Sequence, residues 1–470
     1  MNWKTIFKSL KNRQMLKRVL GVLGIIVAYR FLAHIPVPLA EPTQLKEVVS
    51  SLISSSDFTG FLNLISGGTL TSFSIILVGL SPFITASIIT QLLTKAIPKL
   101  EELHKDGESG RRKINQWTRI ITVPLAIIQS VAYVYILRQT VLASNSTVLA
   151  DASFMSWFIA VTAMSAGSLL LMWLGELITE QGIGNGISLI IFAGIISQVP
   201  NTIATVGKSL FDTSSGSLNV FNWFTIPVDP TSFWIAVVIV IISIAILYAL
   251  VKVNEAQRIL VVNYAKRVHG NSSYGGIKSI LPIKLILANV IPIIFAVAFL
   301  SIPAFVGQIL KATGNEAYSA LATNLINWFQ SPSRGYFTGS TASSFVYPIA
   351  YFVLVIAFTY FYTSIIFNSN EIAENLQKQG GFIEGVRPGK STEDYLNKIV
   401  NRLNLFGSLT LGLIAIMPFV GEYLMYNIAG ITGSNLSIGG TGILIVVSVA
   451  LESLRQINSR ALMVTYDDYK

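Results

Sequence analysis

Residues 174–195 combine small, polar and aliphatic side chains in a way that an ordinary membrane-spanning helix does not tolerate. They read LGELITEQGIGNGISLIIFAGI. The glycines at positions 182, 184 and 186 permit close backbone approach, and Asn185 places an amide where lipid would penalise it. Ile187 and Ile191 then fall one helical turn apart on a single face. The pattern indicates the lining of a pore.

The composition of the whole chain is that of a polytopic membrane protein. Of 470 residues, 52% are hydrophobic and 12% charged, and apolar runs of membrane-spanning length recur from end to end. A soluble protein with buried helices does not carry so many uninterrupted apolar segments. We count roughly ten runs, centred near Leu23, Ile84, Leu125, Ser165, Ile191, Ile241, Ile294, Val353, Leu411 and Val447.

Lysine and arginine lie mostly on one side of these runs. The N-terminal segment and the second, sixth and eighth loops are rich in both, and the opposite loops offer only Lys46, Arg138, Lys208, Lys311 and Arg334. The positive-inside rule therefore predicts an even number of spans with both termini in the cytoplasm. No small-residue cleavage site follows the basic start before residues 35–38, so we expect a retained first helix rather than a secretory signal.

Two cytoplasmic loops carry more charge than topology requires, although much of the net charge of +10 serves topology and anionic headgroups. They lie near residues 252–284 and 368–403. In the second, glycines 385 and 389 predict a tight turn that projects Arg387, and Ser391 with Asp394 predicts a capped helix start. An arginine at a rigid tip suits an acidic or phosphate-bearing partner, such as an acidic motor surface or ribosomal RNA.

Signatures of catalysis are missing from the sequence. It has no Walker glycine loop and no HExxH, and His34, His104 and His269 are too scattered to suggest a metal cluster. The absence of cysteine removes thiolate metal sites, disulfides and cysteine nucleophiles, and leaves the redox compartment open. We therefore expect no enzyme activity, catalytic residue, metal or cofactor.

Several motifs occur in the order in which one known family carries them. Besides residues 174–195 they are FLNLISGGTLTSFSI (61–75), GLSPFITASIITQLL (79–93), KDGESGRRKINQWTR (105–119), RILVVNYAKR (258–267), GVRPGK (385–390) and GGTGILIVVSVALES (439–453). In these motifs, and over nearly its entire length, the chain resembles the SecY family, whose members are the large, channel-forming subunits of the Sec protein translocase.

The resemblance implies an all-α polytopic membrane protein. About ten transmembrane helices would form two pseudo-symmetric five-helix halves, residues 1–205 and 206–470, in a clamshell channel hinged between the fifth and sixth helices. The two basic cytoplasmic loops would project from the second half. Internal repetition is not visible in the residues, and inverted repeats in membrane transporters are often faint in sequence.

A pore ring is the first site that the resemblance implies. A constriction of aliphatic side chains seals an idle channel against ions because it excludes water. Taken singly, an aliphatic residue in such a helix usually faces lipid or a neighbouring helix, so only the joint match supports a ring. Its members would be Leu80, Ile84, Ile187, Ile191, Ile294 and Ile445.

A plug near residues 58–70 is the second implied site. Apolar side chains would close the external side and a small-residue joint would let the segment move; the alternative is an ordinary external loop with an apolar patch. The plug residues would be Phe61, Leu62, Leu64, Ile65, Ser66, Gly67 and Gly68.

A lateral gate is the third site that the resemblance implies. Polar groups at Thr85 and Gln129 could hydrogen-bond across it, each contributing about 1 kcal/mol or less in a bilayer. The chain departs from the family early in the seventh helix, where Ile286 replaces the usual asparagine and Asn289 stands where glycine is usual. A helical spacing of three would keep Asn289 on nearly the same face.

The function implied is a central protein-conducting channel in the cytoplasmic membrane of a bacterium, which passes unfolded preproteins and releases transmembrane segments into lipid. Implied partners are SecE-like and SecG-like small subunits, a SecA-like ATPase, the ribosome, signal-bearing preproteins and membrane lipids. Motor or ribosome contacts would fall on Arg258, Lys266, Arg267 and Arg387, with the first of these preceded by Gln257 where the family has an arginine pair. An accessory paralogue for a subset of cargoes and a secondary transporter stay open as alternatives; a transporter should place ionisable residues at the membrane midplane.

Overall fold

The structure, a computed structural model, describes residues 12–39, 73–143, 153–210, 218–220, 224–226, 230–264, 267–269, 272–274, 278–288, 290–313, 316–329, 342–429 and 436–467. Most of them are helical. The helices are α1 (Arg13–Leu32), α2 (Ser81–Ala96), α3 (Pro98–Lys105), α4 (Glu108–Ala143), α5 (Phe154–Gln181), α6 (Gly186–Leu210), α7 (Pro230–Glu255), α8 (Ile291–Ala312), α9 (Glu316–Phe329), α10 (Val346–Ile366), α11 (Ser369–Lys378), α12 (Lys390–Ala429) and α13 (Leu436–Asp467), with a 3-10 turn at Ala342–Phe345.

Each of the ten predicted centres lies in a helix: α1, α2, α4 to α8, α10, α12 and α13. Within the described residues, six helical stretches are long and apolar enough to cross a membrane, and Gly186–Pro200 is an apolar helix of shorter length. The all-α, polytopic fold is therefore confirmed, and the exact number of spans stays a prediction. The predicted boundary between residues 205 and 206 falls inside α6, which continues to Leu210.

Short strands lie between the helices: β1 (Leu218–Val220), β2 (Phe224–Ile226), β3 (Gln257–Tyr264), β4 (Arg267–His269), β5 (Ser272–Tyr274), β6 (Lys278–Lys284) and β7 (Gly381–Ile383). Strands β6, β3 and β7 form one antiparallel sheet in that order. The two basic loops, predicted as separate projections, are thus joined by strand pairing.

The corner between α5 and α6 is built by the glycine-rich stretch. Gly182 ends α5 with φ at +68°, a left-handed angle that favours glycine. Asn185 Oδ1 accepts hydrogen bonds from the backbone N–H groups of Ile187 (3.1 Å) and Ser188 (3.3 Å), so the amide caps the N-terminus of α6. A Cβ on Gly186 would overlap the carbonyl oxygen of Gly175. The absence of a side chain at Gly186 therefore allows the backbones of α5 and α6 to touch.

We expect Gly186→Ala to destabilise the protein by about 1–3 kcal/mol, because the obstacle is backbone and cannot rotate away. The matched control is Gly21→Ala in α1, where an added Cβ meets no atom within 4 Å. Thermal unfolding in detergent measures both. Equal midpoints for the two variants would contradict the close contact.

Candidate channel and constriction

Two cavities among the described helices share part of their lining. The wider one, of about 780 Å³, has a mixed lining: polar and charged side chains of α4 and α5, among them Arg112, Asn115 and Glu180, face apolar ones such as Phe83 and Ile291. The narrower one, of about 110 Å³, is bordered mainly by aliphatic side chains. Ile84 and Ile294 border both cavities, so the boundary between polar and apolar space lies at these residues.

Each of the six predicted ring residues borders at least one of the two cavities, and only Ile84 and Ile294 border both. Besides Ile84 and Ile294, three border the narrow cavity, namely Leu80, Ile191 and Ile445. Ile187 borders the wide cavity instead. Ile84 and Ile294 are 8% and 9% exposed, so little surface is left for water at the contact. A polar cavity that narrows to an aliphatic contact excludes ions by dewetting.

Charges of both signs line the wide cavity. Arg119 Nε lies 2.7 Å from Glu176 Oε1, joining α4 to α5, with the two side chains 49% and 21% exposed. At that exposure the pair contributes little to stability. Charged groups of this kind are stable only where water or a partner solvates them, so they favour a hydrated cavity.

Helix α8 closes the side of the narrow cavity by packing against α2 and α4. The rings of Tyr133 on α4 and Phe305 on α8 are 5.3 Å apart at 50°. Thr85 and Gln129 are half-buried, and Gln129 Oε1 is buried without a hydrogen-bond partner.

Tyr133 was not predicted from the sequence as a gate residue. Its position one helical turn beyond Gln129 was a usable signal.

The start of α8 corrects the gate argument. The helix begins at Ile291, with a proline in its first turn, so Ile286 and Asn289 precede it and a helical spacing of three does not apply. Ile286 is 2% exposed, and its Cγ1 would lie 3.6 Å from a Cβ on Gly407 of α12. It therefore packs in the buried apolar core beside α12. Asn289 lies outside the described residues, as do all the predicted plug residues.

The structure describes some of the residues predicted to contact a motor or a ribosome. Arg258 on β3 and Arg387 in the turn before α12 are both exposed. Lys266 lies outside the described residues, and Arg267 lies in β4, where only the backbone is described. Gln257 pairs with Lys284 at the end of the β3–β6 ladder.

The tight turn at Arg387 is confirmed. Gly385 and Gly389 have φ of +80° and +94°. The predicted capped start at Ser391 is wrong by position, because α12 begins at Lys390 and the Gly389 carbonyl accepts the N–H of Thr392 at 2.9 Å. Thr392 Oγ1 also donates to the Arg387 carbonyl at 2.8 Å, which fixes the turn through its backbone.

No group of three or more histidine or acidic side chains that could hold a metal occurs in the described part of the chain. What the described helices surround is a pair of cavities that meet at an aliphatic contact. Fold and site together define a channel-like, multi-pass membrane protein.

The comparisons with known proteins agree with that class. Residues 74–454 match the SecY family model. Over 466 residues the chain is 39% identical to the protein translocase subunit SecY of Corynebacterium glutamicum, with 98% of both chains covered. The corresponding subunits of Streptomyces coelicolor and Mycobacterium tuberculosis H37Rv are 37% identical, again with 98% of each chain covered. The chain belongs to the SecY family.

Solved structures share the fold. One described as a protein-conducting channel superposes with a TM-score of 0.60 at 19% identity, covering 93% of this chain and 90% of the other. The Sec61 channel of a canine ribosome–channel complex gives 0.51 at 18% identity, covering 93% and 90%.

Proposed function

We propose that this chain is the central protein-conducting channel of a bacterial Sec translocase, passing unfolded preproteins across the cytoplasmic membrane and releasing transmembrane segments into lipid. The observation that carries the proposal is the meeting of a polar and an apolar cavity at Ile84 and Ile294. An aliphatic contact offers no hydrogen bonds to a passing chain, so it can yield to many sequences and still exclude ions when idle.

The partners follow from the charged surfaces and from the relatives. Arg258 and Arg387 present positive charge from one sheet and its adjoining turn, which suits a SecA-like ATPase or the phosphates of a ribosome. One structural neighbour is a Sec61 channel in a ribosome complex, which supports the ribosome as a partner. SecE-like and SecG-like subunits would complete the assembly, with both termini of this chain in the cytoplasm.

Reconstitution tests the function directly. Proteoliposomes that contain this chain, a SecE-like subunit and a SecA-like ATPase should protect a signal-bearing preprotein from added protease when ATP is present. A Corynebacterium SecY assembly with its own partners is the positive control. Activity in the control, with none from this chain although its assembly forms, would contradict the proposal.

The gate carries a further expectation. Gln129 Oε1 is buried without a donor where α8 packs against α4, so a gate closed in this arrangement bears a cost of about 1–3 kcal/mol that an apolar side chain would not bear. Gln129→Leu should therefore favour the closed state, and preproteins with weakened signals should translocate several-fold less well than with the parent.

The matched control for that change is Gln14→Leu, the same substitution at an exposed position of α1 that borders neither cavity. A series of strong and weakened signals in the reconstituted system measures the effect. If Gln129→Leu and Gln14→Leu support every signal equally, the buried amide has no part in setting the gate.

A further inference from the structure

The basic turn and the basic hairpin form one rigid unit, which we call the docking platform: strands β3, β6 and β7 with the turn 384–389. Leu285 N–H donates to the Ala256 carbonyl at 2.9 Å and closes the base of the hairpin. Leu260 and Val262 of β3 pack into a buried cluster with Leu396 and Ile399 of α12. A partner that binds either the Arg387 turn or the hairpin therefore displaces the whole docking platform.

Arg455 of α13 hydrogen-bonds to Asn254 at the end of α7, where the chain enters the docking platform. Its Nη1 donates to Asn254 Oδ1 and its Nη2 donates to the Asn254 carbonyl, both at 2.8 Å. Asn254 is 4% exposed and lies in the last turn of α7, just before β3. Carbonyls of a last turn have no partner within their helix, and the planar guanidinium satisfies this one together with the side chain.

The other strand of the hairpin base faces the same helix. Lys284 ends β6 opposite Gln257. Burial lowers the pKa of the Lys284 ammonium, and the positive charge of Arg455 lowers it further, whereas Glu452 acts in the opposite direction. Both ends of the hairpin base therefore lie within electrostatic range of α13.

Helix α13 also carries the constriction. Ile445 precedes Arg455 by ten residues, or about 15 Å along a helix. Leu444 and Val449 beside it are buried at 0% and 2% exposure, so this part of the helix is packed into the core. Between Ile445 and Arg455, α13 is a continuous helix whose hydrogen-bonded backbone does not stretch. A displacement of the Arg455 end is therefore passed to the Ile445 end.

We propose that Arg455 is a positioning residue that couples the docking platform to the constriction: a partner that binds the platform displaces α13, and with it Ile445. The inference rests on the proposed function. Hydrogen bonds from a charged donor are stronger than neutral ones, and these two join residues 201 positions apart in sequence. Their loss should leave the partner's binding surface intact and disconnect it from the pore.

The absence of cysteine allows a clean reporter. With Ile445→Cys in every protein, the rate of modification by a water-soluble thiol reagent is measured without and with ribosomes carrying a signal-bearing nascent chain. In the parent, ribosome binding should raise the rate. Arg455→Met should bind ribosomes with unchanged affinity but lose most of that increase, and Arg455→Lys should retain part of it.

Two controls separate coupling from simple loss of charge or packing. Arg138→Met removes an arginine that is exposed on α4, far along the chain from the platform, and should keep the full increase. Asn254→Ala should reproduce part of the Arg455→Met effect, and the double variant should lose no more than Arg455→Met alone, since both changes break one interaction. If Arg455→Met does not fold, the Arg455→Lys and Asn254→Ala results decide.

The outcomes are distinguishable. A full increase in both Arg455→Met and Arg455→Lys, or in Arg455→Lys and Asn254→Ala where Arg455→Met does not fold, would overturn the coupling and leave the channel function standing. Ribosome binding to the parent with no change at position 445 would do the same. A parent that neither binds ribosomes nor translocates preproteins would overturn the proposed function itself.

Discussion

Replacing Ile84 with asparagine should open an ion leak through the idle protein. Ile84 borders both cavities, and an amide there would let water from the polar cavity continue into the narrow one. Ile294→Asn should leak equally, for the same reason. Ile187→Asn should leak less, because Ile187 borders only the wide cavity. Planar-bilayer conductance of the purified protein is the measurement.

The matched control is Ile89→Asn on the same helix, α2, where the side chain is 37% exposed. An amide on an outward face should harm folding in the bilayer without raising conductance. If Ile84→Asn and Ile294→Asn are as tight as the parent, these residues do not form the seal.

Reversing the charge of Arg387 should abolish or severely slow translocation. The turn that presents it is held by Gly385, Gly389 and the Thr392 hydroxyl, none of which depends on the Arg387 side chain. Arg387→Glu should therefore insert and fold normally, and put a negative charge against an acidic or phosphate-bearing partner. Protease-protected preprotein in the reconstituted system is the measurement.

Arg138→Glu, a reversal at an exposed arginine of α4 that the charge distribution places on the opposite side of the membrane, is the control and should translocate normally. Ribosome affinity in the parent should fall as salt rises, because neutralised phosphates release counterions. Normal translocation by Arg387→Glu would show that this turn is not a functional contact.

Much of the fold was readable from hydrophobicity and turn chemistry alone. Runs of apolar residues placed a helix at every predicted centre, and the glycines around Arg387 predicted the left-handed turn that the structure has. Both are local properties of the chain. The start of α8 was local too: Pro292 marks a first turn, and it was the signal that Ile286 precedes the helix.

What could not be predicted depends on contacts between distant residues. The pairing of Val262 with Ile383 joins two loops, and the sequence of neither strand indicates which other strand it pairs with. From the sequence alone, Arg455 is one of many basic residues that follow an apolar run, and only its contact with Asn254 distinguishes it. The ring at Ile84 and Ile294 was proposed from family resemblance, since an isoleucine in an apolar helix carries no mark of its own.

The most direct test of the account asks what a translocating chain touches. In the cysteine-free protein, single cysteines at positions 84 and 294 would be crosslinked to a preprotein stalled halfway by a folded domain, with a cysteine at position 27, where Val27 is 67% exposed on α1, as the control. A path between Ile84 and Ile294 predicts strong crosslinks from positions 84 and 294, and none from position 27. A preprotein that stalls and is protected, yet crosslinks to neither 84 nor 294, would contradict a path through this constriction.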